Sequence, residues 1–423
     1  MSETTSTIEV ITKQSTTQRS VASARWFWLD WLRVLAMGTI FLFHSSRAFA
    51  PPAWHVMNSS LDLGFTLFDV FISGWIMPLF FVISGIAVYF SISKRSAFQF
   101  VKDKFMRLIV PFLSVGLLGI LSLNVYYDAM FHGKFAGDFL SFYLGPYFTR
   151  FFPFSLNFSS TYFANSNQGI YLWYLFWLFV FSTITFPLFR WLAIDATRNK
   201  FSKLYSACSR QGGMLLLAIP LIIVNIVALP PYFVFASGYG GWKLPAYLVL
   251  FIAGFVMASS PKFEQSIEKN RRIALLLAVI LSLIVMVFTV LTGGSSSSVS
   301  KPSDTIGVFY FVESIVLSLN GWCWVTALLG YGRKYLSFNH RYLKTSNELV
   351  LPFYVLHQAV IVAVAFYIVQ FNLPVMAKYF LIVITAFPII LALLYPVSKV
   401  NALRFLFGMR MKNTLETKIP RHH

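Results

Sequence analysis

Charge is what this sequence has least of. Only 12% of its 423 residues are Asp, Glu, Lys or Arg, against about 25% in an ordinary soluble domain. The deficit falls in blocks, several of them close to the roughly 20 apolar residues that a bilayer core requires. With 57% hydrophobic and 18% aromatic residues, a water-soluble globular fold is excluded. Two cysteines, Cys208 and Cys323, exclude a disulfide framework, and no His/Cys spacing suggests a metal, so no metal ligand is expected. Residues 1–24 lack the apolar core of a cleavable signal and read as a disordered cytoplasmic tail, and residues 411–423 read as a second cytoplasmic tail.

What is present is a chain of apolar segments. Ten are expected: 28–50, 69–92, 107–127, 170–190, 214–230, 244–260, 272–292, 306–330, 348–370 and 377–399. The fold class is therefore all-α, a polytopic transmembrane bundle of about ten helices occupying residues 25–410. The run of Gly and Ser at 293–298 reads as a flexible loop. A net charge of +19 could suggest nucleic acid, but its distribution excludes that partner. Sorted by alternate connections, 27 of the 34 Lys and Arg fall on one side and six on the other, with Arg33 inside the first segment. That is the positive-inside pattern, with both termini cytoplasmic and the lipid bilayer as the first partner. The chain is a multi-pass cell-membrane protein, in the inner membrane if its source is Gram-negative.

Ionisable groups in lipid are costly and mark function by default. The segments contain few, and those that stand out are Asp30, Arg33, His44, Asp69, Glu313, Glu348 and His357. Arg33 and His44 are eleven residues apart, close to three turns, so they share one helix face roughly 16 Å apart. Arg33 lies near the cytoplasmic edge, where a cation suits an anionic group. His44 lies deeper, where an imidazole suits proton transfer. A structural reading competes evenly: His44 could bond a neighbouring helix and Arg33 could snorkel. Glu313 falls in the layer of His44. Asp30 and Glu348 sit at segment ends, where capping or ion pairing serves equally well. His357 by itself reads as structural, and the aromatic start of the fourth segment, with Trp173, reads as an interfacial belt.

The same residues resemble the acyltransferase-3 family of membrane-bound acyltransferases. The resemblance rests on Leu29-Asp30-Trp31-Leu32-Arg33 followed by His44, and on Phe80-Phe81-Val82-Ile83-Ser84-Gly85 leading to Lys104-Phe105-Met106-Arg107 and Pro111. It rests further on Leu172-Trp173-Tyr174-Leu175, on Glu313-Ser314, and on Pro352-Phe353-Tyr354-Val355-Leu356-His357. Trp54-His55-Val56 resembles the family's glucan-biosynthesis branch, associated with succinylation of periplasmic glucans. Two departures stand out: Lys104 where the family often has Arg, which gives up the bidentate fork, and Tyr171 where the glucan proteins have His.

The resemblance implies an O-acyltransferase that takes a succinyl or acetyl group from cytoplasmic acyl-CoA to a hydroxyl of an extracytoplasmic glycan. Acyl-CoA is then a co-substrate, and no permanently bound cofactor is expected. Arg33, Lys104 and Arg107 would bind the donor, His44 would act as general base, and Glu313 would support its imidazolium. Arg47, Trp54, His55, Trp173 and His357 would contact the acceptor or acyl group, with Asp30 and Glu348 in support. No hydrolase-like segment follows the tenth helix, so the ten-helix unit would act alone, as a homo-oligomer or with a partner. The competing reading is a secondary transporter of an anionic solute or lipid. Many such proteins carry an internal repeat, and none is visible here.

Overall fold

The computed structural model describes residues 26–92, 95–151, 172–194, 206–208, 210–228, 238–239, 242–291 and 308–412. The tails at 1–24 and 413–423, the Gly/Ser run at 293–298 and Tyr171 lie outside these residues. Among the described residues the one pair of strands is a hairpin, Gly238–Tyr239 paired antiparallel with Trp242–Lys243, and helices joined by loops make up the rest. The helices are α1 (Phe27–Ser46), α2 (Leu63–Ser73), α3 (Ile76–Ile92), α4 (Ala97–Phe131), α5 (Trp173–Ile184), α6 (Phe186–Leu192), α7 (Ala218–Val227), α8 (Leu244–Ala258), α9 (Pro261–Leu291), α10 (Val308–Tyr335), α11 (Leu343–Ile368), α12 (Val375–Lys399) and α13 (Asn401–Leu406).

Seven of the described segments are long and apolar enough to cross a bilayer, and α5–α6 makes an eighth bent by 54°. The bend falls at Thr185-Phe186-Pro187, where the proline cannot donate to the preceding turn. Two shorter apolar helices, Gly213–Val227 and Leu244–Ala258, coincide with the fifth and sixth expected segments. The main correction is to the third, which starts at Ala97 and not at residue 107. Ser96 and Gln99 cap one another there in a capping box, a local signal that outweighs the charge of the turn that follows.

The bundle is apolar outside as well as inside, which is stable only in lipid. On α9 the outward face carries exposed Leu276, Leu283, Ile284 and Val287, and on α12 Phe380 and Ile384. Helix α1 is central, packed against α2, α3, α10, α11 and α12. Beside it α3 and α8 cross with their backbones in contact, because a Cβ at Gly85 would lie 2.0 Å from the Phe251 carbonyl oxygen and one at Gly254 2.1 Å from that of Val82. The glycine that closes the Phe80–Gly85 motif thus has a packing role. It fixes the height at which Ser84 meets Tyr174, hydroxyl to hydroxyl at 2.7 Å.

Candidate active site

Helix α1 carries a polar group near each end, and a different cluster has grown around each. At the N-terminal end of α1 Arg33 bonds Asp30 across one turn (3.3 Å). Its charge falls on Lys104 together with those of Arg107 and Arg95. Arg107 in turn faces Arg410, Arg33 and Arg95, with Asp103 as counter-charge. Asp103 is itself paired to Arg95 (3.1 Å), so among the described residues cations outnumber carboxylates here. Crowding of this kind costs energy unless an anion relieves it.

Local sequence explains why the cluster forms. From Phe105 to Ile120, α4 widens into π-type turns on either side of Pro111, which has no N–H to give to the Arg107 carbonyl. The chain beyond α13 turns back against that exposed carbonyl. Gly408 adopts φ +70°, and a Cβ there would meet the Arg107 oxygen at 2.5 Å. Only glycine allows both the left-handed turn and the approach, and two residues later Arg410 joins the cluster. Arg404 pins the turn by donating to the carbonyls of Arg410 (2.7 Å) and Ser398 (3.1 Å), with Glu348 at 3.6 Å. Glu348 therefore supports the C-terminal turn.

At the C-terminal end of α1 the rings of His44 and His357 lie 5.1 Å apart, and Trp54 stacks on His44 at 6.2 Å. Nδ1 of His357 meets the Tyr354 carbonyl at 2.7 Å. A carbonyl only accepts, so Nδ1 carries the proton and Nε2 of the neutral ring is left as an acceptor. Next in sequence to these rings, His55 accepts at Nε2 from the amide of Gln358 (3.1 Å). Its remaining ring proton is then on Nδ1, which faces the carboxylate of Asp128 at 3.5 Å. His55, Asp128 and Gln358 are all buried. Here the carboxylate–histidine pair is Asp128 with His55.

An aromatic row joins the two clusters. The charge of Arg33 bears on Tyr174, the rings of Tyr174 and Tyr354 are 6.0 Å apart, and Tyr354 stacks on His357 at 5.7 Å. Phe80 and Phe81 line it on the α3 side, within 5.9 and 5.0 Å of the Tyr174 ring.

Other expected residues stand elsewhere. Arg47 donates to Asp69 (2.9 Å) and to the carbonyls of Pro51 and Pro52, while Ser46 donates to the other oxygen of Asp69. It therefore clamps the first outer loop, and a carboxylate ligand would have to compete with Asp69. Trp173, the residue before Tyr174, packs on Phe81 and Tyr247. The charge of Glu313 bears on Lys243 and Tyr310, whereas the groups bearing on His44 are His357, Arg47 and His55. Lys243 donates to the Asn225 carbonyl and the Tyr310 hydroxyl, each at 2.5 Å. Burial pulls its pKa down to about 8, and Glu313 opposes that.

The sequence reading missed Asp128, Gln358, Arg95 and Arg410 as members of these clusters. Asp128 falls one residue past the third expected segment. A polar pair one turn apart, Asn124 and Asp128, was the signal available for it. Nothing local distinguishes Arg410 from the other basic residues of the tail. Among the described residues no group of His, Cys, Asp and Glu could hold a metal.

Compared with known proteins, residues 26–397 match the family model described as an acyltransferase domain. No curated protein and no solved structure matches the chain.

Proposed function

This chain belongs to the acyltransferase-domain family, and from that premise we propose that it moves an acyl group from cytoplasmic acyl-CoA to a hydroxyl of an extracytoplasmic glycan. The observation that carries the reading is the aromatic row between the cation cluster and the paired rings of His44 and His357. The nucleotide end of coenzyme A is highly anionic and suits Arg33, Lys104 and Arg107, with Arg95 and Arg410 beside them. Its pantetheine arm is flexible, apolar in part, and about as long as the roughly 16 Å from Arg33 to His44. It would lie along Tyr174 and Tyr354 and bring the thioester to His44.

In this mechanism His44 takes the proton of the acceptor hydroxyl as its oxygen attacks the thioester carbonyl. The C–O bond forms, the C–S bond breaks, and the proton passes from His44 to the departing thiolate. No acyl-enzyme is required. His357, held in one tautomer by Tyr354, supports the imidazolium from its acceptor nitrogen in place of the carboxylate assigned to Glu313. The acyl group in this reading is succinyl or acetyl. The Trp54-His55-Val56 resemblance favours a glucan as the acceptor.

General-base catalysis contributes about 10²–10⁴-fold. His44→Ala, reconstituted in proteoliposomes with radiolabelled acyl-CoA, is expected to lose transfer by that factor while keeping the wild-type unfolding temperature. Wild-type turnover in this variant would refute the assignment.

A further inference from the structure

Buried polar atoms normally find partners, and those that do not are costly enough to need a reason. Here they are concentrated. His44 Nδ1, His55 Nδ1, Asp128 Oδ1, Gln358 Oε1 and both the Nδ2 and Oδ1 of Asn124 are buried and form no hydrogen bond among the described residues. Four of these five side chains belong to the outer cluster described above. The fifth, Asn124, is wholly buried and lies one turn inward of Asp128 on the same face of α4. Its side chain is therefore presented to the same side of α4 as that of Asp128, one turn from the His55 contact. Asp128 faces His55 at 3.5 Å and His132 at 3.8 Å, both beyond the length of a good hydrogen bond, so Asp128 and His55 each retain capacity for a further group.

We propose that Asn124, Asp128, His55 and Gln358 form the acceptor subsite, which binds the vicinal hydroxyls of a sugar ring and presents one of them to His44. This rests on the acyltransfer reading and deepens it. A diol brings two O–H donors and two oxygens that accept. The open atoms comprise acceptors (Asp128 Oδ1, Gln358 Oε1, Asn124 Oδ1) and donors (Asn124 Nδ2, His55 Nδ1), which match it in kind. Trp54, stacked on His44, offers the flat apolar face against which a sugar packs. A long-chain lipid or a thiol acceptor would leave these atoms unmatched. Asn124 and Asp128 are positioning residues in this scheme, and the proton transfer stays with His44.

The test uses the full chain in proteoliposomes, radiolabelled succinyl-CoA or acetyl-CoA as donor, and a glycan fraction extracted from the source cell's envelope as acceptor. Asn124→Leu conserves volume and removes both unmatched atoms. It is expected to raise the glycan concentration for half-maximal transfer at least tenfold, to keep that for acyl-CoA within twofold, and to unfold no earlier than wild type. If the leucine does not fold, Asn124→Ala is expected to give the same split. An unchanged glycan half-saturation in a folded variant would overturn the subsite. Wild-type protein that releases thiol to water while acylating nothing in the glycan fraction would overturn the sugar assignment alone. Wild-type protein that neither binds nor cleaves acyl-CoA would overturn the acyltransfer reading, and the subsite with it.

Discussion

Replacing Gly85 by alanine tests whether the motif glycine acts through packing. The added Cβ would stand 2.0 Å from the Phe251 oxygen and 2.9 Å from the Phe255 nitrogen, short of ordinary contact at 3.4 Å by about 1.4 Å at the nearer atom. Both obstructing atoms are backbone, so no side-chain rotation relieves the clash and α3 must move away from α8. Overpacking costs about 1–3 kcal/mol, and the upper figure applies where backbone meets backbone. That is about a hundredfold in the folding equilibrium. Gly254→Ala meets Val82 on the same crossing at 2.1 Å and is expected to cost a similar amount. Because one separation of the helices makes room for both methyls, the double variant is expected to be markedly less than additive. The shift would also strain the Ser84–Tyr174 hydrogen bond and so disturb the row that leads to His44. Thermal unfolding of the purified single and double variants in detergent measures all three. A wild-type midpoint in Gly85→Ala, or strict additivity in the pair, would refute the reasoning.

Three further outcomes follow from other contacts. Asp69→Ala leaves the mostly buried Arg47 without its carboxylate, a loss of about 3–5 kcal/mol; thermal unfolding should show it, with Asp69→Asn much milder. Arg107→Ala removes a charged contact of about 1.5–3 kcal/mol, so the apparent KM for acyl-CoA should rise roughly 10- to 100-fold, and an unchanged KM argues against the phosphate role. Lys243 carries a pKa lowered to about 8 by burial, against 10.5 for the free side chain. Its folded form therefore sheds the proton first, and the cost of burying the charge is full below pH 8 and relieved as the pH rises towards 10.5. The midpoint of wild type should accordingly gain on that of Lys243→Met between pH 7 and pH 10, and a constant difference would refute the assignment.

The membrane fold was legible because it depends on sums along the chain. Runs of apolar residues and alternation of Lys and Arg need no partner to be read, and the ten expected segments have counterparts in the helices. Their ends were less legible: the start of α4 turned on the Ser96–Gln99 cap, and the bend at Thr185 on one proline. Arg33 and His44 could be placed at opposite depths of one face because both belong to a single helix, whose periodicity is local.

What no local pattern contains is which helix stands beside that face. Tertiary packing gave His44 the ring of His357, assigned a structural role on spacing alone, and brought the charge of Glu313 to bear on Lys243. Depth along an axis is a one-dimensional quantity and survives in sequence, whereas lateral position depends on how the helices cross. The same packing brought Arg410 back to Arg107 through Gly408, and Asp128 to His55 across more than 70 intervening residues. The sequence by itself determined that charges at the inner edge and an imidazole deep within share one helix. Only the tertiary structure decided which side chains face them, because those contacts are made between helices whose crossing is set at close approaches such as Gly85 with Gly254.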